Sequence, residues 1–241
     1  MLRRNKVDPA VTYRPHVGPT RQYLRDIILG VNDGLVSIFL LVVGVVGGGL
    51  TSGQVLLAGV AASIAGAVSM AAGEYIATKS QEQVFDREME LEKEHLRFHR
   101  DIERQEIRDM FGDLGFSPDE AERIVEIVDA DDEAFLKVMM ALEFGVVDTE
   151  RRSPIAAMFA SGLLFLAGSL PAVLPFALTD DPYTGLWIAA IACGLALFAV
   201  GALKTVVTQT NPILGGLENV GVAVAGAAVS YGVGTLFDVA V

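Results

Sequence analysis

Five long stretches of the chain, residues 27–50, 53–78, 153–179, 183–203 and 212–237, are nearly free of charge. Between them the polar positions are gathered in blocks, and one block, residues 80–152, is much longer than the others. Crossing about 30 Å of hydrocarbon takes roughly 20 apolar residues of helix, so each stretch is long enough to span a bilayer. The alternative, helices buried in a large soluble bundle, seldom shows apolar runs of this length. The pattern therefore predicts an all-α, polytopic membrane protein with five transmembrane helices and a three-helix cytoplasmic insert between the second and third spans. The expected domains are a basic N-terminal arm at 1–25, the first two spans at 26–79, the insert at 80–152 and the last three spans at 153–241. Small residues in "GLALFAVGALK" and "GVAVAGAAVSYGVG" let helix backbones approach closely in lipid. Pro171 and Pro175 predict a kink in the third span.

Within the insert, residues 81 to about 110 contain no Pro or Gly and read as one helix that continues the second span. "GDLG" at 112–115 ends it. "SPDE" then starts another, with Ser117 as N-cap, Pro118 in the first position and Glu120 completing a capping box. That helix is expected to reach about Val128, and a further one to occupy roughly 132–144 after "DADD".

Charge fixes an orientation. All 18 Lys and Arg fall in residues 1–25, in 79–152, or at Lys204. The positive-inside rule then places the N-terminus and the insert in the cytoplasm, with the short connections "TSG" and "TDDPY" and the C-terminus outside. The formal net charge of −12 resides wholly in residues 80–152, where 22 acids face 10 bases; the remainder holds 8 of each. Such a local acidic surface attracts cations and repels nucleic acid. The single cysteine, Cys193, lies in an apolar span, so no disulfide or thiolate cluster forms within one chain. The first apolar block follows a basic arm and is too long for a cleavable signal, so it is expected to stay as a span.

Candidate chemistry begins in "ELEKEHLRFHRDIERQE", residues 90–106. On a helical wheel at about 100° per residue, Glu88, Glu92, His95, His99, Glu103 and Glu106 share a stripe roughly 80° wide. Lys93, Arg97, Arg100, Arg104 and Arg108 fall on another face. One reading is a solvated helix laced with ion pairs; the other is a metal site. The stripe has no cation on its own helix and would repel itself without one. Carboxylate and imidazole together suit Fe²⁺, Mn²⁺ or Zn²⁺ better than Ca²⁺ or Mg²⁺. Met139 and Glu143, one turn apart in the last insert helix, could close the site, whereas Met140 reads as packing. In the apolar stretches, Asp26, Asp33, Glu74, Lys204 and Glu218 are the ionisable residues. Charge at such depth usually marks an ion or proton route, although Asp26, Glu74 and Lys204 can also snorkel. Asp33 lies deeper, between Gly30 and Gly34, and Met70 offers a sulfur donor.

Taken together, "RDIILGVNDGLVSIF", "AGAVSMAAGEYIATKSQ" and the acidic insert followed by three spans resemble the vacuolar iron transporter family over nearly the whole chain. The resemblance implies a homodimer that moves Fe²⁺, and in some members Mn²⁺, out of the cytosol against protons, with the first spans lining the route. It implies a transport pathway through Asp26, Asp33 and Met70, and metal ligands at Glu92, Glu103, Glu106, Met139 and Glu143. Two positions depart from the family: His95 replaces the second Glu of the first E-x-x-E pair, and Ala62 stands where many eukaryotic members have a membrane Glu. Glu74 and Glu218 are then candidates for proton coupling. The metal is expected as transported substrate, with no tightly bound cofactor and no catalytic residues. The expected partners are a second copy, the bilayer and metal ions, without nucleic acid. The membrane would be the plasma membrane of a prokaryote or a vacuolar-type membrane of a eukaryote. A buffer or sensor that binds metal without moving it remains the rival reading, and the ligand types leave ferroxidase chemistry open.

Overall fold

The computed structural model describes residues 20–143, 145, 152–208 and 210–237, with side chains from residue 27 onward and without those of 206–208. Residues 1–19 of the arm expected at 1–25 and the side chain of Asp26 lie outside the described residues, while residues 20–25 form the first part of α1. Nine helices are present among the described residues: α1 (Thr20–Gly47), α2 (Ser52–Phe98), α3 (Arg100–Asp113), α4 (Pro118–Val128), α5 (Asp132–Glu143), α6 (Pro154–Val173), α7 (Pro175–Leu178), α8 (Pro182–Thr208) and α9 (Pro212–Leu236). Five of them, α1, α2, α6, α8 and α9, contain segments long and apolar enough to cross a membrane. The chain is thus an all-helical, multi-pass membrane protein.

One compact unit comprises residues up to 66 and from 164 onward. Several of its helix contacts are made at glycines. A Cβ on Gly34 would lie 2.2 Å from the Phe165 carbonyl oxygen, and one on Gly168 would lie 2.3 Å from that of Val31, so α1 and α6 touch backbone to backbone. Gly234 meets the Gly44 carbonyl in the same way, and Gly201 meets Gly215. In lipid, where apolar burial between helices gains little, close backbone contact is the main source of packing energy. Leu35, Ile38, Val42 and Val46 are buried, while Leu57, Trp187, Leu195 and Val222 stay exposed on faces suited to acyl chains.

The third apolar stretch is interrupted as its prolines require. α6 ends at Val173 and α7 restarts at Pro175. Neither Pro171 nor Pro175 can donate an N–H to the preceding turn. The hydroxyl of Ser52 shares its proton between the carbonyls of Thr179 (2.6 Å) and Phe176 (3.2 Å), which lack helical partners at the end of α7.

The second unit, residues 67–163, contains the acidic segment. α2 continues unbroken from its apolar part into this segment, as expected, but it stops at Phe98. The single helix expected from 81 to 110 is therefore corrected: the chain turns at His99 (φ −135°, ψ 30°) and α3 begins at Arg100. No Gly or Pro causes the turn. What it permits is the gathering of Leu96, Ile107, Val125, Phe135 and Met139 into one core. In a straight helix Leu96 and Ile107 would sit about 16 Å apart along the axis. α4 starts with the expected capping box, Glu120 accepting from the Ser117 N–H (2.9 Å) and hydroxyl (2.8 Å).

α3 is tied to α4 and the following turn by arginines. Arg100 donates to Asp129 (2.7 Å) and Asp132 (2.8 Å), Arg104 approaches Asp129 (3.2 Å), and Arg108 pairs with Glu122. These residues recur every four positions, so they occupy one side of α3 and leave Glu103 and Glu106 free to face elsewhere.

Candidate metal centre

The turn at His99 does for the carboxylates what it does for the core. Glu92 and His95 on α2 and Glu103 on α3 each offer a ligand atom, all within 4.8 Å of one another. On a straight helix the first and last would be about 16 Å apart. Glu92 and Glu103 are buried, at 5% and 3% exposure, and His95 is half-buried. His95 Nδ1 lies 3.1 Å from Glu103 Oε1. The other oxygen of that carboxylate, Oε2, is buried with no hydrogen-bond partner among the described residues. A buried polar atom of this kind is uncommon, and a cation is the ligand its charge favours.

The electrostatics extend the group. Burial, then the charges of Glu103, Glu143 and Glu106, push the Glu92 carboxyl up to about 7. Glu103 is raised by burial and by Glu106, with His95 opposing. Glu143, on the rim, is raised by the part of its carboxyl that neighbouring helices cover and then by Glu106, Glu103 and Glu88. Glu88 and Glu106 thus act electrostatically on members of this group, so six expected ligands, Glu88, Glu92, His95, Glu103, Glu106 and Glu143, share one electrostatic neighbourhood. Glu92, Glu103 and Glu143 resist ionisation because they are taken out of water and, after that, because neighbouring carboxylates carry charge, and a divalent cation would relieve all three.

The other two insert candidates are placed differently. His99 forms the turn itself, its side chain exposed and its ring 6.3 Å from that of His95. Met139 is fully buried in the apolar core beside Leu96 and Ile107; Met140 is buried too.

The membrane candidates divide by partner. Glu74 on α2 lies 3.9 Å from Arg152, and Glu218 on α9 lies 2.7 Å from Lys204 on α8. Asp33 on α1 has no basic partner among the described residues; it accepts a hydrogen bond from the Ser37 hydroxyl at 2.8 Å. Met70 is half-buried on α2. Sequence reasoning missed Ser37, four residues after Asp33 and so on its face of the helix, although that spacing was visible. It also missed the partners Arg152 and Lys204, which no local signal pairs with Glu74 and Glu218.

The sequence pattern of the VIT family matches residues 24–235. Vacuolar iron transporter 1 of rice (Oryza sativa subsp. japonica) is 30% identical over 230 residues, covering 93% of this chain and 91% of the relative. Vacuolar iron transporter 1 of Arabidopsis thaliana is 30% identical over 197 residues, covering 82% and 79%. The vacuolar iron transporter of Acanthamoeba castellanii is 30% identical over 235 residues, covering 95% and 85%.

Proposed function

Since this chain belongs to the VIT family, we propose that it transports a divalent transition metal, Fe²⁺ with Mn²⁺ as a second cargo, out of the cytosol in exchange for protons. The names of its relatives support metal transport, and the observation that carries the reading is the buried group Glu92, His95 and Glu103. In this reading the insert is cytoplasmic and captures the ion with those three residues, assisted by Glu88, Glu106 and Glu143. The ion then passes to Asp26, Asp33 and Met70, with a second copy completing the route as a homodimer.

Proton exchange follows from the same ligands. A carboxylate must lose its proton to hold metal, so acid on the far side favours release and returns a proton to the ligand. Asp33, whose only described partner is a hydroxyl, is suited to alternate between cation and proton. Glu74 and Glu218 remain candidates for the coupling duty, but each already has a basic neighbour. The protein is read as a transporter and not an enzyme, with metal as substrate. Its membrane would be the plasma membrane in a prokaryote or a vacuolar-type membrane in a eukaryote.

The rival is a membrane-anchored buffer or sensor, and the buried site in the insert would serve it equally well. Purified protein in sealed liposomes with an imposed pH gradient separates the two. Metal-dependent flux of Fe²⁺ or Mn²⁺ supports transport. Stoichiometric binding without flux assigns the buffer.

A further inference from the structure

We propose that Asn219 is a positioning residue for Asp33, acting through Asn32 as a rotation lock on α1; the inference rests on the transport reading above. Asn219 on α9 donates its amide to the side-chain carbonyl of Asn32 at 3.1 Å, and shares that amide with the backbone carbonyl of Leu197 on α8 at 3.4 Å. Both asparagines are half-buried. One side chain thus joins three helices at the level of Asp33.

The rotation of α1 needs such a device. Elsewhere in this region α1 seats Gly34 against the Phe165 carbonyl and Val31 against Gly168, and buries Leu35. The glycine contacts hold α1 close to α6 and bar a full one-residue step of rotation, but they supply no directional bond toward α9. Asn32 and Asp33 are consecutive and project about 100° apart. When Asn32 is held to α9, Asp33 is directed away from the α1/α9 contact, on the face continued by the exposed Ser37. A partial rotation would turn Asp33 toward α9, where Asn219 offers its amide, and carry the cargo ligand off the route. A full one-residue step in that sense is barred because it would drive the Leu35 Cβ into the Phe165 carbonyl. A hydrogen bond is directional, and within lipid no water competes for the amide, so this contact, together with the Gly34 seat, sets the rotation.

The test uses the full-length protein in liposomes, with Mn²⁺ as probe, and reads Asn219→Leu, Asn219→Gln and Asn32→Leu. The expected result is a rise of about tenfold in the apparent KM for Mn²⁺ in both Leu variants, maximal flux within about twofold, and unchanged Mn²⁺ binding by the insert. The double variant should be no worse than either single one, and Asn219→Gln should recover most of the loss. A second readout is independent of transport: a nitroxide on Ser37→Cys, in a Cys193→Ser background. Asn219→Leu should convert its spectrum from one component to several. A wild-type KM together with an unchanged nitroxide spectrum in Asn219→Leu overturns the lock. If the unaltered protein shows no flux, the transport reading fails by itself, and the spectrum alone decides whether Asn219 holds α1.

Discussion

His95 Nδ1 stands 3.1 Å from Glu103 Oε1 although the two residues are on different helices, separated by the turn at His99. That contact leaves the second oxygen of Glu103 buried and without a hydrogen-bond partner among the described residues. It makes Glu103 the residue on which metal capture by the insert should depend most.

Replacing Glu103 by Gln removes one buried charge-assisted contact to the ion, worth roughly 1.5–3 kcal/mol, or about 10–100-fold in affinity. Titration calorimetry of the purified protein with Mn²⁺ should show that loss. In the absence of metal the same variant should melt at a higher temperature, because the unfavourable buried carboxylate is gone. A variant that keeps wild-type affinity would remove Glu103 from the site.

The raised carboxyls make stability depend on pH in a definite direction. Glu92 titrates near 7 in the folded protein instead of 4.5, so between those values the folded state holds a proton that the unfolded state has lost. Its favourable effect on stability is fully present below 4.5 and is lost as pH rises through 7. Glu103 and Glu143 act in the same sense. Metal-free protein should therefore melt higher at pH 5.5 than at pH 7.5. Added Mn²⁺ should reverse the order, and its binding near pH 6 should release protons, measurable as a buffer-dependent heat.

The two histidines should separate. His95 is half-buried against Glu103, whereas His99 is exposed at the turn. His95→Ala is expected to weaken Mn²⁺ binding by about tenfold or more, a loss of at least 1.4 kcal/mol. His99→Ala should change it by less than about threefold, and equal losses in the same titration would place His99 among the ligands.

Arg100 bridges Asp129 and Asp132 from a side chain 38% exposed. Solvent screening limits what that network contributes to about 1 kcal/mol. Arg100→Ala should lower the melting temperature by a few degrees and weaken metal binding less than Glu103→Gln does.

Gly168→Val should abolish folded protein in detergent, as judged by size-exclusion profile, because its Cβ would lie 2.3 Å from the Val31 carbonyl oxygen. Gly194→Ala is the control: no atom of the described residues lies within 4 Å of its Cβ. A monodisperse Gly168→Val protein would show that α1 and α6 can separate without cost.

The amino-acid sequence by itself determined the five apolar helices, the start of α4 and the acidic character of the intervening segment. These depend on length in apolar runs, on capping residues and on composition, all of which are local. It also identified Glu92, His95 and Glu103, but through a wheel drawn on one straight helix, where they share a face yet are spread along the axis. Only the tertiary structure made them neighbours. The turn at His99 has no Gly or Pro to announce it; it exists because burying Leu96 and Ile107 together with Phe135 and Met139 outweighs the helix hydrogen bonds given up there. The same packing places Met139 in the apolar core, a position that its spacing from Glu143 could not reveal. The pairings of Glu74 with Arg152, Glu218 with Lys204 and Asn32 with Asn219 join residues far apart in the chain. No periodicity encodes such pairs, because the folded bundle alone decides which polar groups share the few places where water cannot serve them.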